Sequence, residues 1–212
     1  MGWLKRLTGN LDRLSGEAVR KKVMKGSERL GPDSKADEIA AWFQGAMNRL
    51  DASVDDDVRK RIMMESCPDA PPKPRIRTLR AKYKELGLDA LIRFMHQDAS
   101  WRGLSWYENP VRKGNVIFVQ KVPYNPKGCA AASSADEKRL SYCHCAIAKA
   151  LMRSGQQISP TFCYCGAGWY KQIWEGILEK PVEKIEMLQS VCQGDDVCEF
   201  AIHLPIGDAP EL

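Results

Sequence analysis

The 212-residue sequence lacks the features that mark membrane-bound and exported proteins. It has no run that approaches the ~20 consecutive apolar residues required by a membrane-spanning helix. Its first residues, MGWLKRLTGNLDRL, contain neither the apolar stretch nor the small-residue cleavage site of a signal peptide. Arg6 occupies the position where an N-myristoylation signal has Ser or Thr. We therefore expect no membrane partner and a cytoplasmic location.

The sequence also lacks a dominant charge. It contains 32 Lys and Arg residues against 27 Asp and Glu residues, so its net charge is only +5. Because bases and acids are interspersed, this charge disfavours nucleic acid as a partner. There is neither an internal repeat nor a low-complexity segment. With 44% hydrophobic and 28% charged residues, the composition is typical of a globular protein.

Residues 1–74 are predicted to form a helical N-terminal extension. Ser34 and Asp37 have the spacing of a capping box, which predicts a helix from there to about Leu50. Apolar residues recur through it at helical spacing: Ile39, Trp42, Phe43, Ala46, Met47 and Leu50. Three consecutive aspartates then favour the start of a second helix. Residues 68–74 (PDAPPKP) are too proline-rich for regular structure and predict a hinge or linker.

Residues 75–212 are predicted to form a cysteine-rich α+β domain. After a basic helix face and a short amphipathic helix at 88–98, the pattern changes to that of strands and helices. The segments predicted to be strands are 104–108, 115–124, 158–165, 182–191 and 197–204. One helix is predicted to carry Leu140 to Leu151, and another follows Gly168. The fold class is thus α+β, with a helical N-terminal region followed by an antiparallel sheet with packed helices.

Six of the eight cysteines form three close pairs in the last third of the chain: Cys143 and Cys145, Cys163 and Cys165, Cys192 and Cys198. Since a reducing cytoplasm disfavours structural disulfides, such thiols indicate metal binding or redox chemistry. Residues two apart in a strand point to one face, so Cys163 and Cys165 are expected to present their thiols together. Gly194 and Asp195 favour a turn that brings Cys192 close to Cys198. Four such thiolates suffice for a tetrahedral zinc ion.

The other cysteines leave alternatives open. Residues two apart on a helix do not face each other, so either a helix starts only after Cys145, or only one of Cys143 and Cys145 joins the site. His144 is either a ligand or faces outward. Cys129 lies in a small-residue loop, and Cys67 has no neighbouring cysteine and is expected to be an ordinary, partly buried thiol. An iron–sulfur cluster ranks behind zinc because the spacing is not ferredoxin-like.

The segment from Phe162 to Ile202 has a recognisable order of residues. It contains a cysteine, a glycine–aromatic helix, a Pro-Val strand start and a closing cysteine-rich turn: Cys163, Gly168, Trp169, Pro181, Val182, Cys192, Gly194, Asp195, Cys198 and Phe200. This order resembles the C-terminal signature of the 4-vinyl-reductase-type, or hydrocarbon-binding, domain. The phrase from Ile62 to Cys67 is similar to one in a group of uncharacterised bacterial and archaeal cysteine-rich proteins.

The resemblance implies a metal site and a pocket. In phenol-sensing activators that carry this domain, three cysteines and a glutamate hold zinc beside an aromatic pocket. By position it implies Cys163, Cys192 and Cys198 as ligands, with Glu186, or Cys165 in its place, as the fourth. It also implies a small apolar or aromatic ligand and allows a homodimer. The aromatic residues near the cysteines are the candidates for binding that ligand: Phe162, Tyr164, Trp169, Tyr170 and Trp174.

Two functions follow from these patterns. The first is a zinc-containing domain that binds a small apolar or aromatic molecule, with metal ligands drawn from the six paired cysteines. The alternative is a thiol- or metal-dependent hydrolase or reductase that uses the paired cysteines. The residues available to such an enzyme are Cys143, His144, Cys145, Cys165, Glu175, His203 and His96.

Overall fold

Helices form the first part of the chain in the computed structural model, which describes residues 2–67, 70–97 and 110–205. They are α1 (Gly2–Met24), α2 (Ala36–Asp51), α3 (Asp56–Glu65), α4 (Lys73–Leu86) and α5 (Leu88–Gln97). Helix α1 is kinked at Gly16, whose φ of 84° is readily accessible only to glycine. The helices predicted before Cys67 and from residue 88 are confirmed.

Helix α2 forms as the apolar spacing predicts, but its N-cap residue is not the predicted one. Its buried residues are Ala40, Phe43, Ala46, Met47 and Leu50. Lys35 is the N-cap residue, and its backbone N–H donates to the Glu38 carboxylate at 3.1 Å. The Ser34 hydroxyl instead accepts from the Gly31 N–H at 2.9 Å. The predicted capping box of Ser34 and Asp37 is therefore wrong, because Ser34 closes the preceding turn.

The predicted hinge at residues 68–74 is partly helical. Pro68 and Asp69 lie outside the described residues, and residues 70–72 have no regular structure. Helix α4 begins at Lys73 with Pro74 in its first turn. Proline is tolerated there because the N–H that it lacks would have no partner within the helix. The linker prediction is wrong for these last two residues.

Within the described residues, four strands form one antiparallel sheet in the order β1-β2-β4-β3. The strands are β1 (Val111–Lys113), β2 (Val116–Gln120), β3 (Lys184–Gln189) and β4 (Glu199–His203). In the register, Phe118 lies opposite Ala201, and Met187 lies opposite Phe200. The strands predicted at 115–124, 182–191 and 197–204 are confirmed, whereas the one at 104–108 lies outside the described residues.

Helices also surround the cysteine pairs. They are α6 (Pro126–Ala131), α7 (Ala135–Tyr142), α8 (Ala146–Arg153) and α9 (Tyr164–Leu178). Helix α6 lies where the sequence indicated a small-residue loop. Helix α7 ends before Cys143 and α8 begins after Cys145, so the single helix predicted to carry Leu140 to Leu151 is wrong. Because a helix does start only after Cys145, the first of the two alternatives for this pair is confirmed.

The strand predicted at residues 158–165 is wrong. Residues Pro160–Cys163 form a 3₁₀ turn that leads directly into α9. The Ser159 hydroxyl accepts from the Thr161 N–H at 3.1 Å, and the Phe162 N–H donates to the Ser159 carbonyl at 3.0 Å. Ser-Pro turn chemistry thus prevails over the apolar character of the segment.

Helix α9 packs against α3 and α4 from the first part of the chain and against β3 and β4 of the sheet. Its contact with α3 is very close at Gly168, where a Cβ atom would lie 2.7 Å from the carbonyl carbon and 2.9 Å from the Cα of Met64. One hydrophobic core therefore extends from Leu7 in α1 to Leu204 after β4. The division at residue 74 stays a prediction about chain organisation.

The architecture confirms the predicted α+β class, with helices before and around an antiparallel sheet. No helix in the described part of the chain has both the length and the apolar character needed to cross a membrane.

Candidate functional site

A cavity of about 620 Å³ lies between the helices and the end of the sheet, and seven of the eight cysteines line it. They are Cys67, Cys143, Cys145, Cys163, Cys165, Cys192 and Cys198. All of them are free thiols. The remaining cysteine, Cys129, is not on the cavity wall; it lies in α6. The structure thus brings together the six cysteines predicted from spacing and adds a seventh.

Four parts of the fold deliver these thiols. Cys67 follows the end of α3, and the 143–145 pair occupies the break between α7 and α8. The 163–165 pair lies where the 3₁₀ turn becomes α9, rather than on a strand. The 192–198 pair lies in the connection from β3 to β4, where Gly194 has a φ of 99°. The predicted turn at Gly194 is present, and both cysteines that it connects line the cavity.

Two pairs of thiols are in hydrogen-bond contact, and each joins different elements. Cys192 bonds to Cys163, and this contact, together with burial, raises the pKa of Cys163 well above its ordinary value. Cys67 bonds to Cys165, and this contact, again with burial, raises the pKa of Cys165. The Ser190 hydroxyl also donates to the Cys163 sulfur at 3.3 Å. Cys67, expected to be an ordinary thiol, is therefore part of the cluster.

Burial holds the other thiols of the cavity neutral as well. It raises the pKa of Cys143 to about 12, with the neighbouring Cys145 as the next cause. Burial likewise raises the pKa of Cys145 and of Cys198. Because an opposite charge favours the ionised form of a thiol, a cation bound in this cavity would reverse these shifts and release protons.

One fixed cation, Lys121, borders the cavity. Its ammonium group lies 5.9 Å from the centre of the Phe200 ring and 3.1 Å from the position that a Cβ of Gly166 would occupy. Its backbone is held firmly, since its N–H donates to the Cys198 carbonyl at 2.9 Å and its carbonyl accepts from the Tyr142 hydroxyl. The site therefore has a positive charge suited to balancing an anionic ligand or an anionic metal–thiolate group.

His144 lines the cavity rather than facing away from it. Its Nε2 atom donates to the Val122 carbonyl at 2.8 Å. Burial lowers the pKa of His144, which favours the neutral ring. With Nε2 as the donor, Nδ1 is the nitrogen with a lone pair, so His144 has the protonation state that metal ligation requires.

Two of the five aromatic residues predicted to bind a ligand lie on the cavity wall, Phe162 and Trp169. Trp3 and Phe200, which were not among the residues predicted to bind a ligand, also line it. The Trp3 and Phe162 rings are neighbours, with centroids 6.2 Å apart. Helix α1 therefore contributes directly to the site, although it lies far from the cysteine pairs in sequence.

The other three aromatic residues lie outside the lining of the cavity. Tyr164 is buried, with the Lys60 ammonium 5.1 Å from its ring centroid. Tyr170 packs behind the wall, against a ring of the sheet. Trp174 is only 1% exposed and belongs to the core. They are on the same helix as Trp169, but they point to its other faces.

The remaining candidate residues are also away from the cavity lining. Glu175 pairs with Lys171 along α9. Glu186 accepts from the His203 ring at 2.7 Å across strands β3 and β4, so the fourth ligand implied by the resemblance is not at the cavity. His96 bonds to the backbone carbonyl of residue 110. Each of these groups is engaged in contacts that hold the fold.

The thiols are spread around the cavity rather than gathered about one point. Within residues 2–67, 70–97 and 110–205, no three His, Cys, Asp or Glu side chains already surround a position for a metal ion. The donor set itself, seven thiols and an imidazole, fits a thiophilic metal. Metal ligation by these residues stays a prediction. Comparison with protein-family models, with curated proteins and with solved structures gives no match to the chain.

Proposed function

We propose that the cysteine-lined cavity binds a thiophilic metal, zinc or iron, in a reducing cytoplasm. The observation that carries the proposal is the convergence of seven cysteines from four parts of the fold on one cavity. Buried thiols that serve only as small hydrophobic residues need not be neighbours. Cysteines that bind one metal must be neighbours, because the metal is coordinated by several thiolates at once.

The charges around the cavity support this function. Neighbouring thiols oppose the ionisation of Cys143, Cys163 and Cys165, and burial acts in the same direction. A divalent cation compensates for both, so binding and thiol deprotonation are expected to occur together. Two donors stabilise the sulfurs further: the Ser190 hydroxyl at Cys163, and the side chain of Trp3 at Cys165.

The test is the metal content of the full chain, purified under reducing conditions with no metal added. We expect at least about one zinc or iron per chain, because structural metal sites with thiolate ligands bind tightly. Cys163→Ser should lose the metal, since Cys163 contacts both Cys192 and Ser190. Cys129→Ser is the matched control and should retain it. Metal-free wild-type protein, or equal metal in both variants, would contradict the proposal.

A second function, binding of a small apolar or aromatic molecule, is favoured by the aromatic part of the wall. Trp3, Phe162, Trp169 and Phe200 line a cavity whose volume lies within the range of about 300–1,000 Å³ that is usual for ligand pockets. Both functions can coexist, with the metal at the thiols and the ligand against the rings. This arrangement corresponds to the one implied by the resemblance.

Thermal unfolding in the presence of small aromatic compounds checks this second function. A compound present at about 100 times its dissociation constant should stabilise the folded protein by about 2.7 kcal/mol and raise the melting temperature accordingly. Trp169→Leu should weaken that shift, whereas Trp42→Leu should not, because Trp42 is not on the cavity wall. If no compound of a broad aromatic set changes the melting temperature, the ligand-binding function is wrong.

The thiol-enzyme alternative has less support in the site. A nucleophilic cysteine reacts as its thiolate, and catalytic cysteines have lowered pKa values. Burial instead raises the pKa of Cys143 and Cys145, which reduces the fraction of thiolate at neutral pH. His144, the candidate base that lines the cavity, donates from Nε2 to a backbone carbonyl, which leaves only Nδ1 to accept a proton from a thiol.

A further inference from the structure

We infer that the ligand of this cavity is a small aromatic carboxylate, whose rings pack on the aromatic side chains of the cavity and whose charge lies at Lys121. This inference rests on the proposed binding of an apolar or aromatic molecule and deepens it by naming the class of ligand. Its basis is the composition of the lining. Among the described residues that line the cavity, Lys121 is the only lysine or arginine, and no aspartate or glutamate accompanies it.

The ammonium group of Lys121 lies beside an aromatic ring of the cavity. A Cβ atom added to Gly166 would be 3.1 Å from the Lys121 Nζ atom and 3.1 Å from the Phe200 Cζ atom. All three residues line the cavity. Nζ also lies 5.9 Å from the centroid of the Phe200 ring, a distance at which a ring attracts a cation. One ligand can therefore contact the charge and the ring together.

The hydrogen-bond donors of this ammonium group are available to a ligand. Among the described residues, no carboxylate forms an ion pair with Lys121. It acts on Cys145, Cys163 and Cys198 through its charge, without a hydrogen bond to their sulfur atoms. Because Lys121 is half-buried, a charge without a counter-charge is costly there, and an anionic ligand would remove that cost.

The position of Lys121 beside helix α9 supports the same conclusion. Gly166 belongs to the first turn of α9, and this turn contains no acidic residue. The partial positive charge at the start of a helix favours anions and disfavours a lysine. The fold nevertheless places an ammonium group there. A carboxylate bound beside Lys121 would interact favourably with both positive charges.

The aromatic side chains of the cavity suit the flat body of such a ligand. The rings of Trp3 and Phe162 have centroids 6.2 Å apart, within the range of about 4.5–7 Å that is usual for aromatic pairs, and Trp169 also lines the cavity. In small-molecule sites, apolar side chains supply most of the contact and a few polar groups fix the orientation. Here the single ammonium group would fix the charged end of a monoanion.

The experiment compares charged and uncharged ligands of the same shape by calorimetric titration of the reduced full chain. The probes are benzoate, naphthoate and anthracene carboxylate, each beside its primary amide. At neutral pH we expect at least one acid to bind about tenfold or more tightly than its amide, the lower end of what a hydrogen bond to a charged group contributes.

Three variants identify the group that selects the acid, with circular dichroism to establish folding. Lys121→Met should abolish the preference and leave the affinity for the amides unchanged, because methionine keeps an apolar side chain without the charge. Lys121→Arg should retain the preference. Lys149→Met is the matched control and should also retain it: the same charge is lost, but the Lys149 ammonium lies 4.2 Å from the Tyr124 ring centroid, and Lys149 is not among the lining residues.

The outcomes separate this inference from the functions proposed above. If acids and amides bind alike, or if Lys121→Met keeps the preference, the carboxylate is wrong while binding of aromatic molecules stands. If Lys121→Met loses bound metal together with the preference, the lysine balances a metal–thiolate group and the inference is overturned. If neither acids nor amides bind, the aromatic-ligand function fails as well.

Discussion

Replacing Gly168 by alanine is expected to destabilise the protein by about 3 kcal/mol or more, the upper end of what overpacking costs. A Cβ at this position would overlap the Met64 carbonyl and lie 2.9 Å from its Cα. These are backbone atoms of α3, so no side-chain rotation can relieve the overlap. The two helices would have to separate.

The change should also disturb the cavity. Gly168 lies one turn after Cys165, and Met64 lies one turn before Cys67, so the close α3–α9 contact is what holds these two thiols together. Chemical denaturation and metal content measure the two effects. Gly9→Ala is the matched control. Apart from its chain neighbours and the backbone of its own helix α1, no atom of the described residues lies within 4 Å of the Gly9 Cβ position, so alanine should stabilise by about 0.5–1 kcal/mol. A Gly168→Ala protein as stable as wild type would show that the helices do not approach this closely.

Much of the fold could be predicted from the sequence because its signals are local. Apolar residues at helical spacing gave α2, and the β-branched and aromatic run at 115–124 gave β2. The turn residues between Cys192 and Cys198 gave the β3–β4 connection. Where local signals compete, the prediction failed: the apolar run at 158–165 resembles a strand, but Ser159 and Pro160 set a turn whose hydrogen bonds lie within the segment itself.

The candidate site could be predicted only in part, because its assembly depends on long-range packing. Close spacing pointed to the six paired cysteines, and all six line the cavity. No local sequence pattern predicts a place at the cavity for Cys67, Trp3 or Lys121. Cys67 reaches the cavity because α3 packs on α9, and Trp3 reaches it because α1 packs on α2 and α3. Lys121 reaches it because β2 ends beside the start of β4. Gly168 is a sequence signal for the contact between α3 and α9, because a glycine inside a helix often marks a close approach of another backbone.

Replacing Trp174 by alanine is expected to cost about 3–5 kcal/mol of unfolding free energy, as for other large-to-small changes of fully buried aromatic residues. Trp174 is 1% exposed and is one of the largest fully buried side chains in the described residues. Periodicity places it on the same helix as Trp169 but does not tell which of the two faces a ligand. The structure separates them, with Trp169 on the cavity wall and Trp174 in the core.

The measurement is denaturant unfolding of Trp174→Ala beside Trp42→Ala. Trp42 is partly exposed, and its indole donates to the Lys25 carbonyl at 3.1 Å, so its loss should cost only about 1 kcal/mol, near the value of one hydrogen bond. In protein that remains folded, Trp174→Ala should keep its metal and its response to aromatic compounds, because the ring does not border the cavity. If Trp174→Ala instead loses little stability but no longer responds to aromatic compounds, Trp174 belongs to the binding site. It would also mean that the face of α9 turned towards the cysteines differs from the one described above.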